Sequence, residues 1–249
     1  MKKYFLLLML IMITLNSCVT MALKSIGALE EKSKPFYITN GTKKVLFFGM
    51  HHVGKHEFYN GVKASIDSLQ KIGYYFYLES VRYDIQDSIK IDIYNRKFRK
   101  IVGFIQGKEG YLDTINHKIG NILSYNPKLK LTNQPPYRKM NLSNNISKIV
   151  DVPKNKIIDA FENEFGVVNL DSCDYKTALN IKYLCKKIDI DLYKKFKEKY
   201  VHELRNKNLV NEILTSEHTK IGVIYGKNHY KRVLEILQEH DHNWKEVKN

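Results

Sequence analysis

Three features of this sequence predict an α/β fold: a mixed sheet with a βαβ core and surrounding helices. Two near-continuous apolar runs, Lys44-Val-Leu-Phe-Phe48 and Tyr74-Tyr-Phe-Tyr-Leu78, flank a stretch of helical periodicity, and strand, helix and strand within about 35 residues make a βαβ unit. A third run of the buried type, Lys220-Ile-Gly-Val-Ile-Tyr225, comes late and leads into a further amphipathic stretch. The chain has 249 residues, 43% hydrophobic and 27% charged, enough for one domain using most of its length. With only 13 Gly, 5 Pro and 3 Cys, fibrous and disulfide-dense classes are excluded.

The elements follow in order. Phe36–Thr39 and Lys44–Phe48 flank Asn40-Gly41, a hairpin signal because both turn residues tolerate positive φ. Phe58, Val62, Ile66 and Leu69 recur at steps of four, four and three, giving a helix from Glu57 to Lys71 with one apolar face. Tyr74–Leu78 is β-prone throughout, as in a strand covered on both sides, and is expected to lie parallel to the strand at 44–49. Helical patches are expected near 84–106 and 112–124. Asn133-Gln134-Pro135-Pro136-Tyr137 excludes regular helix. Ile146–Val152 is expected as a strand, with a helix from Pro153 to Phe165, since Pro suits a first helical turn. A long helix is expected over 189–214, a strand over 220–225 and a closing helix over Tyr230–Gln238.

The N-terminus reads as a processing signal. Lys2 and Lys3 precede the apolar run Tyr4–Leu15, and Leu15-Asn16-Ser17-Cys18 ends it; that run is too short for a spanning helix. It resembles a bacterial lipoprotein signal, which implies removal of 1–17, lipidation of Cys18, a tether over 18–34 carrying a short helix, and one domain over 35–249. The alternative is an ordinary signal peptide cut beyond Cys18. The expected location is the cell envelope, membrane-anchored through the N-terminal lipid, and Val19-Thr20-Met21-Ala22 lacks an acidic surface-export tag, which favours the periplasmic face. Cys173 and Cys185 then form an even pair in an oxidising compartment, as a disulfide or as two free thiols. The formal charge of +15 is spread among Asn, Ile and Tyr as a compositional bias, and no nucleic-acid partner is expected.

The candidate chemistry lies at the carboxyl ends of three predicted buried strands, where ligands collect in open α/β sheets. These positions hold His52, Glu79 and His229. Two imidazoles and a carboxylate suit a divalent metal (Zn, Mn or Co) with an open position for water. Both histidines share a frame, Gly49-Met50-His51-His52 and Gly226-Lys227-Asn228-His229. Glu79 is a third ligand or the base for metal-bound water; Arg205 is an oxyanion stabiliser or the partner that holds Glu79 in place. His51 is given at most a supporting role behind His52. No His-Glu-x-x-His, Gly-x-Ser-x-Gly, Walker or dinucleotide motif is present.

In this order, the strand-Gly49-x-x-His52 opening, Tyr77-Leu78-Glu79, Leu204-Arg205-Asn206 and strand-Gly226-x-x-His229 resemble the TraB/GumN/Tiki family, grouped with erythromycin-esterase-like and ChaN-like proteins. The likeness runs from about 36 to 244 along the chain. Met50 stands where Thr is usual, and Asn228-His229-Tyr230 where a small residue and His-Leu are usual. The resemblance implies a mixed α/β fold and a metal-dependent hydrolase, with Tiki members acting as membrane-anchored metalloproteases. It matches His52 and His229 to the family histidines, Glu79 to its acidic residue and Arg205 to its arginine. The expected function is therefore a lipid-anchored hydrolase of peptide or protein substrates. The alternatives are a non-catalytic lipoprotein holding metal, haem or peptide on the same fold, and a purely structural envelope protein.

Overall fold

The computed structural model describes residues 19–105, 110–120 and 123–247; the signal, Cys18 and its lipidation lie outside them. The described residues divide into two compact units: those within 19–34, 50–72 and 110–143 form the first, and those within 35–49, 73–105 and 144–247 the second. Among the described residues no helix is long and apolar enough to cross a membrane.

The second unit is built on a mixed sheet. Its strands are β1 (Phe36–Thr39), β2 (Lys44–Met50), β4 (Tyr75–Leu78), β9 (Ser147–Ile149), β10 (Lys220–Gly226) and β11 (Lys245–Glu246), in the spatial order β11-β1-β2-β10-β4-β9. β1 runs antiparallel to β2 and β11, whereas β10, β4 and β9 are parallel. The expected hairpin is present with a longer loop: Thr39 faces Lys44, Asn40 Oδ1 accepts from the Thr42 and Lys43 amides, and Gly41 takes φ 92°. The two strands of the βαβ reading are not neighbours, for β10 lies between β2 and β4. Ile221 through Tyr225 are all buried, and a strand that is apolar on both faces belongs in the middle of a sheet. Gly222 is required there, since a Cβ would come within 2.4 Å of the Phe76 ring on β4.

Helices α2 (Ser88–Val102), α3 (Lys154–Phe165), α4 (Ser172–Lys176), α5 (Ile190–Lys195), α6 (Leu204–Thr215) and α7 (Tyr230–His240) complete this unit. One core joins Val45, Phe47, Val223 and Tyr225 of the sheet to Leu209, Val210 and Ile213 of α6 and Val233 and Ile236 of α7. A second joins Ile101, Ile157, Phe161, Phe196 and Tyr200. The long helix expected over 189–214 is one run in three parts, for residues Phe196–Glu203 between α5 and α6 are π-helical. There the Leu204 amide reaches back five residues to the Lys199 carbonyl, a widening that occurs mostly as single turns, frequently at functional sites. Cys173 and Cys185 are joined in a disulfide with Cα atoms 5.9 Å apart.

In the first unit residues 19–25 are helical, and Leu23 and Ala28 from the expected tether are buried with Val53, Leu112, Tyr125 and Leu131. β3 (Val53–Lys55) pairs antiparallel with β8 (Leu131–Asn133). α1 (His56–Gln70), the helix expected over 57–71, buries Phe58, Tyr59, Val62 and Ile66. The helical patch expected over 112–124 is corrected to three short antiparallel strands, β5 (Leu112–Asp113), β6 (Lys118–Ile119) and β7 (Leu123–Ser124). Turn chemistry overrides helix propensity: Asp113 Oδ1 accepts from the Ile115 and Asn116 amides, and His117 and Gly120 take positive φ.

Candidate functional site

Three parallel strands of the second unit end in polar side chains. Glu79 follows β4, Asp151 follows β9, and His229 follows β10 after one short turn. Because β10, β4 and β9 are neighbours, the three residues leave one sheet edge, and α6 brings Arg205 and Asn206 to them from its first turn.

Arg205 is the hub. Its Nε and Nη2 donate to the two oxygens of Asp151, both at 2.7 Å, and Nη2 also donates to Glu79 Oε1 at 2.5 Å. Nη1 faces the Val201 carbonyl at 3.3 Å and His229 Nε2 at 3.5 Å. Every nitrogen of the guanidinium is thus directed at a partner, an arrangement that matches holding Glu79 in place, the second of its two sequence-based roles. The flanking carboxylates hold Arg205 more firmly protonated than an ordinary arginine although burial opposes it. Asp151 is wholly enclosed and accepts two further hydrogen bonds, from the Tyr225 hydroxyl at 2.8 Å and the Val152 amide at 2.9 Å. Burial and the facing Asp151 charge push the Tyr225 hydroxyl well above its ordinary pKa.

Glu79 is only 15% exposed. Burial by itself would raise its pKa, but Arg205, His229 and the Gly226 amide overrule that and hold it below the usual carboxylate range. The Gly226 amide donates to Oε2 at 2.5 Å. A Cβ on Gly226 would stand 3.2 Å from that oxygen, and a Cβ on Gly49 would meet the Lys227 side chain at 3.1 Å. The glycines of both Gly-x-x-His frames therefore serve close approach at two neighbouring strand ends.

His229 is buried. Its Nδ1 lies 2.6 Å from Asn206 Oδ1, an atom that only accepts, so Nδ1 carries a proton. Nε2 faces Glu79 Oε1 at 3.8 Å. His202 is 5.4 Å away, ring to ring, and its pKa is lowered by burial and by Lys197 and Arg205.

The structure thus brings Glu79, Arg205 and His229 into one network and adds Asp151, Asn206 and Tyr225, which the sequence reading did not assign. His52 belongs to the first unit, where its ring stacks on Tyr111 at 4.5 Å and its carbonyl accepts from the Gln134 amide. His51 packs beside Gly27 and Phe58, and its carbonyl accepts from the Tyr59 hydroxyl at 2.6 Å. Asp151 carries no comparable signal, because the strand before it is Ser147-Lys148-Ile149 and the strand expected over 146–152 runs through it.

The Glu79 and His229 donors do not fit a divalent cation in this arrangement. The fixed positive charge of Arg205 lies against both donor atoms, and among the described residues no group of three or more His, Cys, Asp or Glu is placed to hold a metal ion. No family model, curated protein or solved structure matches the chain; the resemblance read above rests on the residues that carry it.

Proposed function

We propose that the chain is an envelope-anchored hydrolase of ester or amide bonds, peptides included, with His229 as its general base. The observation that carries this reading is the orientation of His229, with Nδ1 on Asn206 Oδ1 and Nε2 turned toward Glu79. Glu79, Asp151 and Arg205 together carry a net charge of −1, so a proton taken from water onto Nε2 makes the cluster neutral. That proton would face the Glu79 carboxylate, and the Asn206 bond keeps the ring aimed while the charge changes. Asp151 and Tyr225 act through Arg205 and are positioning residues. The expected zinc, manganese or cobalt ion enters this reading only where Arg205 withdraws from Glu79, and no step is assigned to it. Anchoring through lipid on Cys18, facing the periplasm, is part of the proposal.

The test is hydrolysis of chromogenic esters and a peptide library by the full chain beside His229→Gln, with ions counted by elemental mass spectrometry. Turnover should fall by about 10²–10⁴-fold in the variant with the fold intact. Unchanged turnover in His229→Gln overturns the assignment of the base. One ion per wild-type chain that vanishes in a folded His229→Gln chain restores the metal-dependent form of the reading.

A further inference from the structure

In the second unit, the stretch closed by the disulfide shows an unusual combination of charge and exposure. Between Tyr175 and Ile188 the sequence has four lysines, Lys176, Lys182, Lys186 and Lys187, and no carboxylate. Within it Ile181 is 58% and Leu184 80% exposed. We infer that residues 177–187 form a docking surface for an anionic lipid bilayer.

The outward side chains are held there from beneath. Tyr183 and Cys185 point inward and are buried. The Tyr183 hydroxyl donates to Asp174 Oδ1 at 2.5 Å, the Arg99 guanidinium sits 5.0 Å from its ring, and Cys185 is bonded to Cys173. Arg99 also donates to the Asp174, Thr177 and Ala178 carbonyls. With Tyr183 and Cys185 pinned beneath, Ile181, Lys182, Leu184, Lys186 and Lys187 around them are exposed. The exposed apolar surface is thereby fixed before any partner arrives, which lowers the ordering cost of binding. Lys187 lies across Gly103 at the end of α2, next to Phe104, itself 41% exposed, so apolar surface continues beyond the loop.

The pattern matches a bilayer better than a protein partner. Protein interfaces place an apolar centre inside a polar rim. Here exposed aliphatic and cationic residues are interleaved, Ile181 and Leu184 among Lys182, Lys186 and Lys187, as required where Ile and Leu enter the acyl boundary and lysines meet phosphates at the same depth. This inference is independent of the hydrolase reading and of lipidation at Cys18.

The test places an indole at the tip with Leu184→Trp in the full chain. The sole native tryptophan, Trp244, is buried at 1% exposure, so the new indole reports its own surroundings. Vesicles containing phosphatidylglycerol should shift its emission to the blue and brominated acyl chains should quench it, while pure phosphatidylcholine vesicles should do neither. Adding Lys182→Ala should weaken the response about fivefold, the factor equivalent to ~1 kcal/mol for one lysine at an anionic surface. Adding Lys182→Glu, Lys186→Glu and Lys187→Glu together should abolish it. No shift on anionic vesicles, an equal shift on neutral ones, or a response undiminished by Lys182→Ala overturns the inference.

Discussion

Two ionic clusters among the described residues of the second unit differ in what they leave available. Under the disulfide, Lys100 from the last turn of α2 reaches Asp174 at 2.5 Å and Asp171 at 3.1 Å, while Arg99 and Arg96 cover the carbonyls of residues 174–178. Asp174 is fully enclosed and accepts further bonds from the Tyr183 hydroxyl and the Asp171 amide. At the strand ends, Arg205 binds Asp151 and Glu79 with similar completeness, yet one partner there is an imidazole, the side chain suited to exchanging protons near neutrality. The first cluster fastens a loop. The second has the same building materials with a proton carrier in their midst, and saturation of hydrogen bonds alone does not separate structure from chemistry.

Removing the hub of each cluster is the sharpest way to break this comparison. Arg205→Leu leaves Asp151 and Glu79 buried without a cation, and it should cost about 3–5 kcal/mol in chemical denaturation and end turnover as well. Lys100→Met leaves Asp174 its two uncharged donors; a loss of about 1–3 kcal/mol with turnover unchanged is expected, and an equal loss of activity would erase the distinction. The smallest effect is on acid stability. Glu79 and Asp174 titrate below their ordinary values in the folded chain. Folded, they bind fewer protons than unfolded, so their contribution is complete above the ordinary carboxylate range, about pH 4, and is lost as pH falls through the folded values. Glu79→Gln should therefore lose less stability than wild type when denaturation midpoints are compared between about pH 6 and pH 3.

Periodicity made the ends of the chain legible and failed in the middle. The strands at 36–39, 44–50, 75–78 and 220–226 and helices α1, α3 and α7 follow the apolar spacing closely, because each buries a continuous face. Leu112, Ile115, Ile119, Ile122 and Leu123 fall at helical spacing, yet a side-chain acceptor, Asp113, decided the turn that follows it. Strand order was not readable, for β10 comes last of the central strands in sequence and first in burial. At the site, Glu79, Arg205 and His229 were visible as polar residues after apolar strands or beside a motif. Asp151 was hidden because the strand at 146–152 was read as running through it, and Asn206 because an amide signals nothing until its imidazole partner is found across 23 residues of chain.

The π-helical turn at Phe196–Glu203 also sets a phase. Phe196 and Tyr200 face Phe161 on one side of it, and Arg205, Asn206, Leu209 and Ile213 face the sheet side beyond it. An α-helix advances about 100° per residue, so deleting a single residue in this turn would rotate everything after it by that step relative to Phe196. Arg205 would swing off Asp151, and Leu209 would leave the core with it. The extra residue works as a fixed gear offset between two faces, and length at this point of the chain is under tighter constraint than the identity of most side chains that fill it.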